Sequence, residues 1–145
     1  MPLVAGWLAD RVGPKPVIVG VYIGGAIGFL VFLAAGSSLP GLWLGIVLMG
    51  LFSFAESPQL QALLADVTDP GIRDAAYSTY FALAFGVGSM WGIVYGAVID
   101  VGGTAGPGSG LGTVFWLMAG ASVAAAIATL RIRIPRAVPA GRPTS

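Results

Sequence analysis

One carboxylate, Glu56, lies within a long apolar stretch where an ionisable group has a functional role by default. Uncharged residues run from position 16 to 55, and the next charge after Glu56 is Asp66. Hydroxyl and amide side chains cluster around it: Ser53, Ser57, Gln59 and Gln61. Pro58 also removes one backbone N–H and frees the carbonyl of Phe54. We interpret Glu56 and Gln59 as candidates for substrate binding or proton coupling; the alternative is an acid buried for packing alone.

A second group combines charges with glycines near the start of the sequence: Gly6, Asp10, Arg11, Gly13 and Lys15. The two glycines allow a tight reversal of the chain. Asp10 can accept hydrogen bonds from the free N–H groups at the start of a neighbouring helix. Arg11, Lys15 or the more distant Arg73 can pair with it. The alternative is a solvated turn in which these charges face only water.

Three further carboxylates, Asp66, Asp69 and Asp74, lie close together in the sequence. Clustered carboxylates can hold Mg²⁺ for phosphoryl transfer, but Pro70-Gly71 breaks the helix that would align them. Asp74 is better explained as the cap or first turn of a helix. The sequence has no cysteine and no histidine, which excludes thiolate or Ser-His catalysis and zinc sites of those ligands. We predict no enzyme activity, no metal site and no cofactor.

The composition identifies the class of protein that must position these groups. Of 145 residues, 57% are apolar and 9% charged, and the mean hydropathy is +0.91. A soluble domain carries about 25% charged residues, so this chain cannot coat a water-facing surface. A net charge of +1 without a basic run also argues against nucleic acid as a partner. The lipid bilayer is therefore the expected environment.

Long charge-free stretches predict an all-α membrane protein with four transmembrane helices. A crossing needs about 20 helical residues, and lipid forbids unpaired backbone groups. The predicted spans cover residues 16–35, 40–64, 75–99 and 110–130. Residues 1–15 precede them as the end of a helix and a cytoplasmic loop, and residues 132–145 follow as a basic, proline-rich cytoplasmic tail. Because residues 1–7 cover only about 10 Å, we expect a further helix upstream.

The basic residues orient the spans in the membrane. All seven fall before the first span, between the second and third, or after the fourth: Arg11, Lys15, Arg73, Arg131, Arg133, Arg136 and Arg142. The other two connections contain none. By the positive-inside tendency, both termini are predicted to be cytoplasmic. The excess of arginine over lysine suggests a bacterial genome, and hence the plasma or inner membrane.

Glycines repeat every fourth residue in two of the spans. The first span carries Gly20, Gly24 and Gly28, and the third carries Gly88, Gly92 and Gly96. Such small-residue ridges allow helix backbones to approach closely in lipid, so both are predicted packing faces. Trp91 and Tyr95 lie one turn apart beside the second ridge, as candidates to line a substrate cavity. Tyr77 and Tyr80 are expected at the cytoplasmic membrane interface.

The segment from Gly6 to Lys15 resembles the signature loop of the major facilitator superfamily (MFS), Gly-x-Leu-x-Asp-Arg-x-Gly-x-Lys/Arg. The matching positions are Gly6, Leu8, Asp10, Arg11, Gly13 and Lys15. The resemblance implies that this chain is the C-terminal part of a twelve-helix transporter, its ninth to twelfth helices. It also implies that the signature residues, with Arg73, form a latch that gates alternating access. The expected function is transport of a small molecule, coupled to protons.

Two other interpretations stay open. One is a stand-alone four-helix multidrug exchanger acting as a dimer, although such proteins carry their essential glutamate in the first span. The other is a membrane scaffold or gene remnant without transport activity. Family transport rocks two six-helix halves about a site at the bilayer midplane. Four helices cannot supply both halves, so we expect the chain to need missing N-terminal helices or an oligomeric partner.

Overall fold

A computed structural model describes residues 2–104 and 108–132, without the side chains of residues 2–5 and Asp10. The elements are, in order, α1 (Pro2–Val12), α2 (Pro14–Ala34), α3 (Leu39–Val67), a 3₁₀ turn (Pro70–Ile72), α4 (Arg73–Phe81), a π-helical segment (Ala82–Val87), α5 (Gly88–Gly102) and α6 (Gly110–Arg131). The described residues contain no strand. Four stretches are long and apolar enough to cross a membrane, so the prediction of an all-α, four-span membrane protein is confirmed.

The predicted spans lie close to the helices of the structure. Residues 16–35 correspond to α2, residues 40–64 fall within α3, and residues 110–130 fall within α6. The largest difference concerns residues 75–99, because that span extends continuously from Pro70 to Gly102. We name Pro70–Gly102 the third span. Its π-helical segment, with hydrogen bonds one residue longer than those of an α-helix, has no counterpart in the prediction.

Helix ends follow the local chemistry of the sequence. Gly13 adopts φ 91°, a backbone conformation that favours glycine, and separates α1 from α2. The Ser38 hydroxyl accepts a hydrogen bond from the Gly41 N–H at the start of α3, and the Ser109 hydroxyl accepts one from the Gly112 N–H at the start of α6. These serine caps satisfy donors that the first helical turn leaves free.

The segment predicted as a signature loop is mostly helical. Helix α1 runs through Gly6 and Arg11 to Val12, and the chain reverses only at Gly13. The expectation that Gly6 takes part in the reversal is therefore wrong. Gly6 lies inside α1, because nothing in the segment before Gly13 interrupts the helical hydrogen bonds.

Helix α2 is the centre of the described bundle, packing along α3 on one side and α6 on the other. Its buried residues lie along most of its length, from Val17 to Gly28. Against α6, the rings of Phe32 and Phe115 stack with centroids 4.8 Å apart. By contrast, none of the described residues of the third span is buried.

Glycines bring α2 and α3 into close contact. A Cβ on Gly28 would lie 2.9 Å from the backbone nitrogen of Met49, and one on Gly45 would lie 2.6 Å from the Cα of Phe32. A Cβ on Gly24 would collide with the ring of Phe52. The two helices therefore approach to a distance that only glycine permits, and they run antiparallel.

The far end of the third span packs on α6 through a second pair of glycines. A Cβ on Gly102 would collide with the backbone of Gly110, and one on Gly110 would lie 2.7 Å from the Cα of Ile99. The Leu111 N–H donates to the Gly103 carbonyl at 3.1 Å. This contact joins the third span to α6 at the end of the bundle opposite Lys15 and Arg73.

Candidate functional site

A cavity of about 250 Å³ lies among α2, α3, α5 and α6, and Glu56 is part of its wall. The wall consists of Val21, Tyr22, Gly25, Phe29, Phe52, Ser53, Glu56, Tyr95, Met118, Ala121 and Ser122. Glu56 lies eleven residues before the end of α3, which places it about 16 Å from that end. The carboxyl group is thus inside the membrane-spanning part of the helix and borders open space.

Tyr22 of α2 is the polar neighbour of Glu56. Its side chain lines the same cavity as the carboxyl group of Glu56. A phenol hydroxyl can both donate and accept a hydrogen bond. Tyr22 therefore offers the cavity a hydrogen-bonding group beside its single acid.

Tyr95 of α5 lines the same cavity, as expected for one of the candidate residues. Trp91 is not part of the wall; its ring stacks on that of Tyr95 with centroids 5.8 Å apart. Because Trp91 is half-exposed, at 51%, its position is behind Tyr95 rather than inside the cavity. Of the four predicted candidates, only Glu56 and Tyr95 meet at the cavity.

The remaining polar residues near Glu56 in sequence point elsewhere. Gln59 is buried, with 5% of its surface exposed, and does not line the cavity. The Gln61 side-chain amide donates to the Ser57 hydroxyl at 2.8 Å, a pair formed one turn apart on α3. Only Ser53 accompanies Glu56 in the wall.

Several residues of the wall were not recognised from the sequence, and they come from helices distant along the chain. Tyr22 and Phe29 belong to α2, and Met118 and Ser122 belong to α6. Tyr22 carried a detectable signal, since it is a polar aromatic residue between two glycines of the first ridge. Ser122 and Met118 carried none, because their role depends on how α6 docks against α2.

Lys15 clamps the end of α6 to the start of α2. Its ammonium group donates to the carbonyls of Leu130 at 2.6 Å and Ile132 at 2.9 Å. The last carbonyls of a helix lack partners within the helix, and the negative end of the helix dipole favours a cation there. Lys15 therefore acts on a helix end of this same chain, a partner that the sequence did not suggest.

Arg73 and Tyr77 fasten the third span to the end of α3. The Arg73 guanidinium donates to the Ala65 carbonyl at 3.0 Å, and the Tyr77 hydroxyl donates to the Gln61 carbonyl at 2.9 Å. The Nε atom of Arg73 is buried without a hydrogen-bond partner within the described part of the chain. Tyr77 thus takes part in helix docking, beyond the interfacial role expected of it.

The other signature residues have simpler surroundings. The guanidinium of Arg11 lies 4.3 Å from the ring centroid of Trp7, a cation–π contact within α1. The side chain of Asp10 lies outside the described residues, as do Arg133, Arg136 and Arg142 of the predicted tail. Asp69 accepts a hydrogen bond from the Gly71 N–H at 2.8 Å and so caps the 3₁₀ turn.

The glycine ridges have opposite surroundings. Gly24 and Gly28 face α3 at close range, whereas a Cβ on Gly20 would meet nothing within 4 Å. Gly88, Gly92 and Gly96 also have open space beside them among the described residues. The structure therefore brings part of the first ridge into a helix interface and leaves the second ridge without a neighbour in this part of the chain.

The sequence matches the family model of the Major Facilitator Superfamily over residues 1–145. The chain therefore belongs to this superfamily of membrane transporters. It is similar to the inner membrane transport protein YajR of Escherichia coli (strain K12), with 34% identity over 114 residues. That alignment covers 79% of this chain and 23% of YajR. No solved structure matches the chain significantly.

Family membership favours the transporter interpretation over the two alternatives. The small four-helix exchangers lack the signature segment that this chain carries from Gly6 to Lys15. The chain spans about a quarter of the length of its curated relative. Its described residues form four helical stretches that are long and apolar enough to span a membrane, and a carboxyl group lines a cavity among them.

Proposed function

We propose that this chain contributes the last four of twelve helices to a secondary transporter that moves a small molecule across the plasma or inner membrane. The signature segment before the first span supports this position in the complete protein, as does the limited share of YajR that the chain covers. YajR itself is an inner membrane transport protein. The end that carries Lys15 and Arg73 faces the cytoplasm in this proposal.

The proposed coupling ion is the proton, and Glu56 is its carrier. The single observation behind this assignment is the position of Glu56 in the wall of an intramembrane cavity, where ionisable residues mark ion or proton pathways. Tyr22 in the same wall supports it, because a phenol hydroxyl can donate to an ionised carboxylate and accept from a protonated one. Substrate and proton then share one cavity, and the other helices of the complete protein close it on their side.

The test uses the complete protein reconstituted in lipid vesicles that contain a pH-sensitive dye. Sugars, amino acids, organic anions and organic cations are added one class at a time under an imposed pH gradient. We expect proton flux with at least one class. We expect Glu56→Gln to abolish this flux, because an amide side chain does not gain and release a proton as a carboxyl group does. Glu56→Asp, which keeps the carboxyl group, should retain part of the flux.

Ser57→Ala is the matched control, since Ser57 adjoins Glu56 in sequence but pairs with Gln61 away from the cavity. It should leave the flux unchanged. Undiminished flux in the Glu56→Gln variant would remove Glu56 as the proton carrier. Transport by vesicles containing the 145-residue chain alone would contradict the proposal that it works as part of a larger bundle.

A further inference from the structure

The cavity wall combines a single charged group with several aromatic rings. One carboxyl group, from Glu56, is combined with four aromatic rings: Tyr22, Phe29, Phe52 and Tyr95. The other polar side-chain groups of the wall are hydroxyls, those of Tyr22, Tyr95, Ser53 and Ser122, and no lysine or arginine of the described chain lines it. The cavity therefore presents negative charge and aromatic faces together.

These two features favour the same kind of ligand. An ionised carboxylate removed from bulk water is stabilised by an opposite charge beside it. Aromatic faces attract cations through their quadrupole, most strongly where the cation has lost its hydration shell. An anion meets repulsion from Glu56, and a neutral sugar leaves the negative charge of Glu56 without an opposite charge beside it. A weakly hydrated organic cation satisfies both the carboxylate and the rings.

The size of the cavity limits the ligand further. Pockets for small molecules typically measure about 300–1,000 Å³, and this one measures about 250 Å³. The part of the site that these helices form accommodates a single ring or a compact quaternary ammonium group, and in the proposed complete protein other helices would form the rest of it. The Phe52 ring lies directly against Gly24, so the glycine ridge of α2 holds this part of the wall in place.

We propose that the cavity binds a small monovalent organic cation, of the quaternary ammonium or protonated amine class, with Glu56 as counter-ion. Phe29 of α2 and Tyr95 of α5 provide aromatic faces on different sides of the cavity. This inference rests on the proposed transport function, because it names the substrate class for the same site. It is nevertheless a statement about binding, which can be measured without transport.

The test compares two ligands that share a phenyl ring and differ in the sign of their charge, phenyltrimethylammonium and benzenesulfonate. Binding to the complete protein in detergent is measured at one pH by isothermal titration calorimetry. We expect the cation to bind at least tenfold more tightly than the anion. Glu56→Gln should reduce the affinity for the cation at least tenfold, and Phe29→Leu should reduce it about three- to tenfold.

Phe54→Leu is the control for the aromatic variant. Phe54 belongs to α3 as Glu56 does, is 81% exposed and does not line the cavity, so its replacement should leave the affinity unchanged. Each variant is first checked for helix content and thermal unfolding. If Phe29→Leu fails to fold, Tyr95→Leu tests the second aromatic face with the same expected loss.

Three results would overturn the cation assignment: equal affinity for the two ligands, tighter binding of benzenesulfonate, or cation binding that Glu56→Gln leaves intact. Failure of the transport proposal gives a different pattern. A protein that binds phenyltrimethylammonium through Glu56 but moves no substrate retains this inference and loses the proposed function. A protein that transports another class of molecule without binding the cation retains the proposed function and loses this inference.

Discussion

Helix α2 and the third span carry the same glycine pattern in opposite environments. Each has three glycines spaced four residues apart. In α2, two of them lie against α3 at distances that exclude a side chain, while in the third span all three have open space beside them. A glycine ridge thus gives a helix the capacity for close packing in lipid, but the partner depends on which other helices are present.

The two spans also differ in how they are attached. Helix α2 contacts its neighbours along its length, and Lys15 adds a clamp to the end of α6. The third span is attached near its ends, through Arg73 and Tyr77 at one and Gly102 at the other. Between these attachments lies the π-helical segment Ala82–Val87, a feature that often occurs at functional sites. Among the described residues, the third span is therefore attached mainly at its two ends.

The largest expected effect comes from placing a leucine in the glycine ridge of α2, compared with a leucine in the ridge of the third span. Gly28→Leu should destabilise the chain by at least about 2 kcal/mol, because the side chain meets the backbone of Met49 and overpacks the interface. Gly92→Leu should be neutral, or stabilising by up to about 1 kcal/mol through helix propensity. Unfolding of the 145-residue chain in detergent, followed by circular dichroism, measures both.

Equal destabilisation by the two leucines would contradict the difference between the packed ridge of α2 and the open ridge of the third span. It would require a neighbour beside Gly92 within the chain. The same pair of variants in the complete protein sharpens the result. If further helices cover the third span there, Gly92→Leu becomes destabilising only in that longer protein. The difference between the two proteins would then identify the second ridge as a packing face for helices outside this chain.

The sequence was sufficient to predict the spans because charge placement and lipid physics determine them directly. The charge-free stretch from residue 16 to 55 fits helices in a bilayer, because membrane strands would need closure into a barrel and an alternating pattern. The cavity was only half predictable. Glu56 is conspicuous as a lone acid within a long apolar stretch. Its meeting with Tyr22 in one cavity wall depends on the register in which α2 and α3 dock, and Gly24, Gly28 and Gly45 determine that register through close contacts.

The same limit explains the incomplete prediction for the signature segment. The glycines and charges of the segment indicated a turn and a latch, and the turn at Gly13 is present. The carbonyls that Lys15 reaches belong to Leu130 of α6 and to Ile132 directly after it, more than a hundred residues further along the chain. No local pattern specifies such a partner, because it arises only when the first and last spans lie side by side.

A smaller effect is expected from removing the Lys15 hydrogen bonds at the end of α6. Lys15→Gln removes the charge that serves two terminal carbonyls of α6. Hydrogen bonds from charged groups contribute about 1.5–3 kcal/mol when well protected, and partial exposure of Lys15 reduces this to about 1 kcal/mol. The last turn of α6 should exchange its amide hydrogens about fivefold faster, as measured by mass spectrometry.

Arg11→Gln provides the control for this variant, since Arg11 stacks on Trp7 within α1 and does not contact α6 through a described hydrogen bond. Its exchange pattern at the end of α6 should equal that of the unchanged chain. Faster exchange at the end of α3 instead of α6 after Lys15→Gln would mean that the clamp acts elsewhere in the bundle.

The smallest effect concerns the attachment of the third span. Tyr77→Phe removes one hydrogen bond to the Gln61 carbonyl, which contributes about 1 kcal/mol, while the ring remains to pack. Because Arg73 still holds the Ala65 carbonyl, we expect little change in global unfolding and faster amide exchange confined to α4.

Tyr80→Phe is the matched control, since no hydrogen bond to α3 is described for its hydroxyl. If both variants alter α4 equally, ring contacts rather than the Tyr77 hydroxyl attach this end. If neither does, Arg73 alone is sufficient, and the third span is even less constrained than its two attachments suggest.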